Sequence, residues 1–110
     1  MNIIDYHSSG GKNQILEFID NLPPDERLLL YDVRKEVRIK GVGIADSVHF
    51  QTRQLYKKIW EIKIFCFRIM YIIVDSENIV FLHICKKQKG KTEKQKLKKA
   101  IRRAREGNFI

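Results

Sequence analysis

The sequence predicts a small α+β domain, and three observations predict it. Apolar residues recur with helical spacing through the first third, alternating β-branched and aromatic residues fill the middle, and helical spacing returns in a strongly basic last segment. At 110 residues, with 44% hydrophobic and 32% charged, the chain supports one core and not two, so residues 1–110 read as a single domain.

Residues 2–6 mix apolar and polar positions and end at Ser8-Ser9-Gly10-Gly11, which reads as a strand and a turn. From about Asn13, Ile15, Leu16, Phe18, Ile19 and Leu22 fall on one helical face. Pro23-Pro24 ends that helix and opens the next, because proline fits a first helical turn and Asp25 and Glu26 complement the positive end of the dipole. Leu29, Leu30, Val33 and Val37 carry the second helix to Gly41, so the two form an N-terminal αα-hairpin. Residues 41–47 read as a loop, and residues 48–83 as an antiparallel sheet in which Glu61 and Lys63 alternate against Trp60, Ile62 and Ile64. Asp75-Ser76-Glu77-Asn78 is the turn of a hairpin between residues 68–74 and 79–85, whereas Ile64-Phe65-Cys66-Phe67 carries no usual turn residue. After a basic loop at 86–91, Thr92-Glu93-Lys94-Gln95 has capping-box spacing and predicts the start of a third helix. Its stripe of Leu97, Ala100, Ile101 and Ala104 packs on the sheet, and Gly107 is its expected cap.

Charge is distributed unevenly. Residues 86–110 hold eleven Lys and Arg against two Glu, while residues 1–85 hold eleven of each sign, so the net charge of +9 belongs to the tail. A one-sided cationic segment gains affinity for a polyanion by counterion release, which points first to nucleic acid, ribosomal RNA included. Asp5 and the lack of an apolar run in residues 1–12 argue against a signal peptide, and the apolar stretch at 64–74 is short and broken by Arg68. A cytoplasmic, membrane-free protein with reduced Cys66 and Cys85 is the expectation.

The order strand, helical hairpin, sheet, basic loop, helix comes with several specific strings: Leu55-Tyr56, Trp60-Glu61-Ile62-Lys63, Phe67-Arg68-Ile69-Met70-Tyr71, and Phe81-Leu82-His83-Ile84-Cys85-Lys86-Lys87 followed by Lys91-Thr92. Over nearly its whole length the chain resembles the HigB-like, phage-protein-related branch of the RelE/ParE toxin superfamily. The resemblance implies a curved antiparallel sheet with helices packed against it. It also implies a toxin that enters the ribosomal A site and cleaves mRNA, contacts ribosomal RNA there, and is held inactive by a helix-turn-helix (HigA-like) antitoxin.

Metal-independent RNA cleavage needs a base for the 2′-hydroxyl, cations for the charge gathering on the phosphate, and an acid for the departing 5′-oxygen. Arg68, a charge in the middle of an apolar strand, is the leading candidate, since a guanidinium holds phosphate bidentately and the resemblance puts the phosphate-stabilising arginine at this position. Lys63 shares a face with Glu61 and is the second phosphate cation. His83 has the side chain for acid–base work, although its Leu82 and Ile84 flanks suit a structural histidine equally. Lys91 completes the catalytic candidates. Lys86, Lys87 and Lys89 lead to a helix start and suit a backbone clamp. Lys94, Lys96, Lys98, Lys99, Arg102, Arg103 and Arg105 suit general phosphate contacts, and Tyr71 offers a ring for stacking on a base. His7 and His49 carry no partner signal. No Cys/His spacing or acidic cluster points to a metal, and no cofactor is expected.

Two other classes fit parts of the pattern: a ParE-like inhibitor of DNA gyrase, and a catalytically inert RNA-binding protein. The set of Lys63, Arg68 and the 86–91 loop separates them, because phosphate chemistry needs those cations and a protein-binding inhibitor does not.

Overall fold

The computed structural model describes residues 1–87 and 90–110, the side chains at 91 and 92 excepted. Over these residues the order is β1 (Asn2–Asp5), α1 (Gln14–Asp20), α2 (Pro24–Lys40), a 3-10 helix (Gly41–Asp46), β2 (Gln51–Tyr56), β3 (Ile59–Ile64), β4 (Phe67–Ile73), β5 (Asn78–Lys86) and α3 (Lys91–Glu106). The strands form one sheet in the order β1-β5-β4-β3-β2.

β2 to β5 are antiparallel neighbours joined by short turns. β1 instead runs parallel to β5, pairing Asn2 with Asn78 and Asp5 with Phe81, so the sheet is mixed and not the antiparallel one expected. The reason is connectivity: no hairpin links β1 to its neighbour, and a connection through two helices and three strands leaves its direction free.

Alternation along the strands divides the interior into two layers. Ile62, Ile69, Tyr71 and Phe81 pack with Ile15, Ile19, Leu30, Val33 and Val37 of the helical hairpin. Ile59, Met70, Ile72, Val80 and Leu82 face Ala100 and Ala104 of α3. The hairpin and α3 therefore cover opposite faces. Leu82 is the extra residue of a bulge, since Met70 pairs with His83 and Tyr71 with Phe81.

Local chemistry sets most boundaries. Asn13 caps α1 by accepting the Leu16 N–H at 3.0 Å, and Pro24 opens α2 as expected. The Gly41–Asp46 segment is a 3-10 helix instead of a loop. α3 starts ahead of the expected capping box, because Gly90 (φ +61°) takes a cap conformation open to glycine and places Thr92 inside the helix. The β3–β4 turn is just Phe65-Cys66, with Phe65 at φ +50°.

β1 is fixed by a buried ion pair. Arg34 of α2 donates to both Asp5 carboxylate oxygens, at 2.7 and 2.9 Å, Asn13 adds a third bond at 3.1 Å, and the guanidinium lies 5.5 Å from the Phe81 ring centre. Cys66 and Cys85 are free thiols.

A candidate phosphate-binding cleft beside the last helix

The site grows from the β3–β4 register. Lys63 stands directly opposite Arg68, Glu61 opposite Met70, and Ile59 opposite Ile72, so the α3-facing side of the hairpin changes from apolar to charged as it runs toward its turn. Arg68 Nη1 donates to the carbonyl oxygens of Phe67 at 2.8 Å and Phe65 at 3.3 Å. Among the described residues no carboxylate lies within ion-pair distance of Lys63 or Arg68. Like charges opposite one another on a sheet repel, and an anion placed between them removes that cost.

Next to this row is a carboxylate network. Glu61, 2% exposed, receives a hydrogen bond from Arg53 Nη2 at 3.3 Å, and the same nitrogen reaches Glu93 of α3 at 3.3 Å. Arg53 thus ties the sheet to the first turn of α3. Between them lies a cleft of about 250 Å³ lined by Arg53, Glu61, Lys63, Arg68, Met70, Cys85, Lys87, Gly90, Glu93 and Lys96. Five cations against two carboxylates leave it positive. The Lys87 backbone N–H donates to the Cys66 carbonyl at 2.6 Å, which pins the strand end against the β3–β4 turn. Burial pushes the Cys85 thiol pKa up, which keeps it protonated and unsuited to nucleophilic work.

Of the residues singled out from the sequence, Lys63, Arg68, Lys87 and Lys96 come together here. Lys86 is exposed at the end of β5, and Lys94, Lys98 and Arg102 are exposed on α3. Lys99, half-buried, lines a separate cleft with Tyr6, His7, Arg102 and Arg103. Lys89 and the side chain of Lys91 lie outside the described residues.

Three candidates fall elsewhere. Tyr71 is 1% exposed in the layer under the helical hairpin, where no ring face is open to a base, and burial raises its pKa to about 12. Arg103 is 3% exposed: it donates to the Leu82 carbonyl at 2.6 Å and to the Gln14 side chain, and it lies 4.3 Å from the Tyr6 ring centre. It belongs to the interior, not to an RNA-facing surface. His83, 7% exposed, sits 3.4 Å from Arg103 and does not line the cleft. Burial, with Lys99, Arg103 and Lys96 adding repulsion, pulls its pKa down to about 3, so it is neutral at pH 7 and has no proton to give.

Glu61, Arg53 and Glu93 are the lining residues that sequence reasoning missed as a site. Alternation with Lys63 marks Glu61, but Arg53 and α3 join it only through strand pairing and packing. His7 donates its Nδ1–H to the Asp5 carbonyl at 2.7 Å, and His49 contacts Glu36. Among the described residues no group of three His, Cys, Asp or Glu side chains is placed to hold a metal ion, and no helix is long and apolar enough to cross a membrane.

Fold and site together define a small α+β domain with three helices, a five-stranded mixed sheet and a cationic cleft between hairpin and last helix. Residues 17–105 match the family model described as Phage derived protein Gp49-like (DUF891), and the chain belongs to that family, a toxin-like one. No curated protein matches the chain.

Proposed function

We propose that this protein is a HigB-like toxin of a toxin–antitoxin pair, a ribosome-dependent endoribonuclease that cleaves mRNA in the A site. The observation that carries this reading is the opposed Lys63–Arg68 pair, which lacks a carboxylate partner among the described residues and opens into a positive cleft. A cation already neutralised by the protein contributes little to a phosphate. One held by backbone carbonyls keeps its charge for the substrate.

The proposed reaction is transesterification. The 2′-oxygen forms a bond to phosphorus, the bond from phosphorus to the 5′-oxygen breaks, and the products are a 2′,3′-cyclic phosphate and a 5′-hydroxyl. Arg68 stabilises the extra negative charge of the pentavalent phosphate. Glu93, whose carboxylate is 51% exposed where Glu61 is 2%, is the acceptor a 2′-hydroxyl reaches, and it takes that proton. Lys63 gives its proton to the departing 5′-oxygen. Lys86, Lys94, Lys98 and Arg102 supply contacts to ribosomal RNA, and a helix-turn-helix antitoxin covers the cationic side or blocks entry to the ribosome.

The test is a cell-free translation reaction with purified protein, followed by mapping of mRNA 5′ ends. New 5′-hydroxyl ends inside the translated region, absent without ribosomes and absent with Arg68→Ala, are the expected result. Intact mRNA under all conditions would overturn the reading, and inhibition of gyrase by the same preparation would replace it with the ParE-like one.

A further inference from the structure

The β3–β4 turn carries an unexpected residue. Two-residue hairpin turns favour Asn or Gly where φ is positive, because a side chain there crowds the backbone. This one holds Phe65 at φ +50°, with the residue 74% exposed. The position combines a strained backbone with an apolar ring left in water, and neither feature helps the fold. Strained positions of this kind cluster at ligand-binding sites.

The location gives the ring a use. Arg68 donates to the Phe65 carbonyl at 3.3 Å, and Phe65, Lys63 and Arg68 line one open concavity of about 510 Å³, together with Gln51 and Val48. A tilted contact to Phe67, ring centres 6.4 Å apart, steadies the ring. Two cations without carboxylate partners among the described residues, beside an exposed aromatic face, match a single-stranded nucleotide, which presents a phosphate and a π-face as neighbours. A duplex keeps its bases stacked and offers the ring nothing.

We propose that Phe65 is a stacking platform for an unpaired RNA base next to the phosphate held by Lys63 and Arg68. This rests on the reading of that row as facing RNA. It adds a subsite that binds by ring contact, independent of sequence and of the cleavage step.

A substrate that cannot be cleaved separates binding from chemistry. Affinity is measured at low salt for a short single-stranded 2′-O-methyl RNA and for a strand with equal phosphate number built from abasic units. Phe65→Asn is expected to lower affinity for the base-bearing strand on the order of tenfold or more, and to leave the abasic strand unaffected. Phe65→Trp retains affinity. Because Asn accepts positive φ, Phe65→Asn is also expected to raise the melting temperature by a few degrees, so weaker binding cannot be blamed on a damaged fold. Arg68→Ala weakens both strands and flattens the salt dependence. Unchanged base-strand affinity in Phe65→Asn, or equal loss on both strands, would overturn the platform. If wild type binds neither strand, the RNA-facing reading falls with it. If Phe65→Asn disturbs only capture of a co-expressed antitoxin, the ring is a protein contact and the proposal is wrong.

Discussion

The β1 side of the sheet and the β3–β4 side each hold an arginine, and they treat it in opposite ways. Arg34, 4% exposed, has both terminal nitrogens on Asp5, so its charge is cancelled inside the protein. Arg68 is half-buried, binds two backbone carbonyls and faces a lysine. A guanidinium matched to a carboxylate completes the fold. One fixed by carbonyls alone is positioned without being neutralised, and its charge remains available to an anion. The comparison shows how to read a basic protein: the partner of each cation, more than the number of cations, separates structure from function.

The largest effect is expected where the charge is cancelled. Asp5→Ala or Arg34→Ala leaves one buried charge without its partner and is expected to lower unfolding free energy by about 3–5 kcal/mol, measured by urea denaturation. Replacing both with apolar residues of similar size is expected to cost much less than either single change. Arg68→Ala should show the reverse profile. Cleavage on programmed ribosomes drops by about 10²–10³, while stability stays within about 0.5 kcal/mol of wild type. A stability loss like that of Arg34→Ala would make Arg68 a residue of the fold and not of the site.

His83 is a third case, a buried base with no acid partner among the described residues. Its folded pKa of about 3 lies below the ordinary 6.5, so between those values the unfolded chain binds a proton that the native protein does not. Stability is therefore expected to fall as pH drops below 6.5, with His83 contributing up to about 1.4 kcal/mol per pH unit until its folded pKa is reached. Urea titrations of wild type and His83→Gln at pH 7, 6 and 5 isolate that contribution as the difference in slope. The smallest stability change belongs to the exposed helix face. Charge reversal at Lys94, Lys98 and Arg102 is expected to leave stability within about 0.5 kcal/mol and to flatten the salt dependence of ribosome binding by roughly one slope unit for each phosphate no longer neutralised. Adding Arg103→Glu to that set should unfold the protein, since Arg103 is interior.

Local periodicity made most of the architecture legible. The helical hairpin, the β4–β5 turn at Asp75 to Asn78 and the stripe on α3 are each written in neighbouring residues. The direction of β1 is not, because nothing within residues 2–6 says which strand they join. The β3–β4 turn was hidden for a different reason: the residue at positive φ is a phenylalanine, and turn chemistry gives it no mark. In the site, Lys63 and Arg68 stood out as charges among apolar neighbours, whereas the Glu61–Arg53–Glu93 network joins three elements through pairing and packing. Arg103 had a readable signal. It precedes Ala104 and follows Ala100 by three, on the edge of the buried stripe, but its charge suggested a surface role.

The parallel pairing of Asn2 with Asn78 also bears on how the chain assembles. β3, β4 and β5 are linked by tight turns and can gather through contacts close in sequence, on the fast timescale of hairpins. β1 pairs with β5, the last strand in the chain, so its docking is expected to follow the gathering of β3 to β5. Until then Asp5 and Arg34 remain hydrated and the helical hairpin lacks part of its floor. A cavity in β1, such as Ile3→Ala, should accordingly speed unfolding while leaving the refolding rate nearly unchanged in stopped-flow experiments.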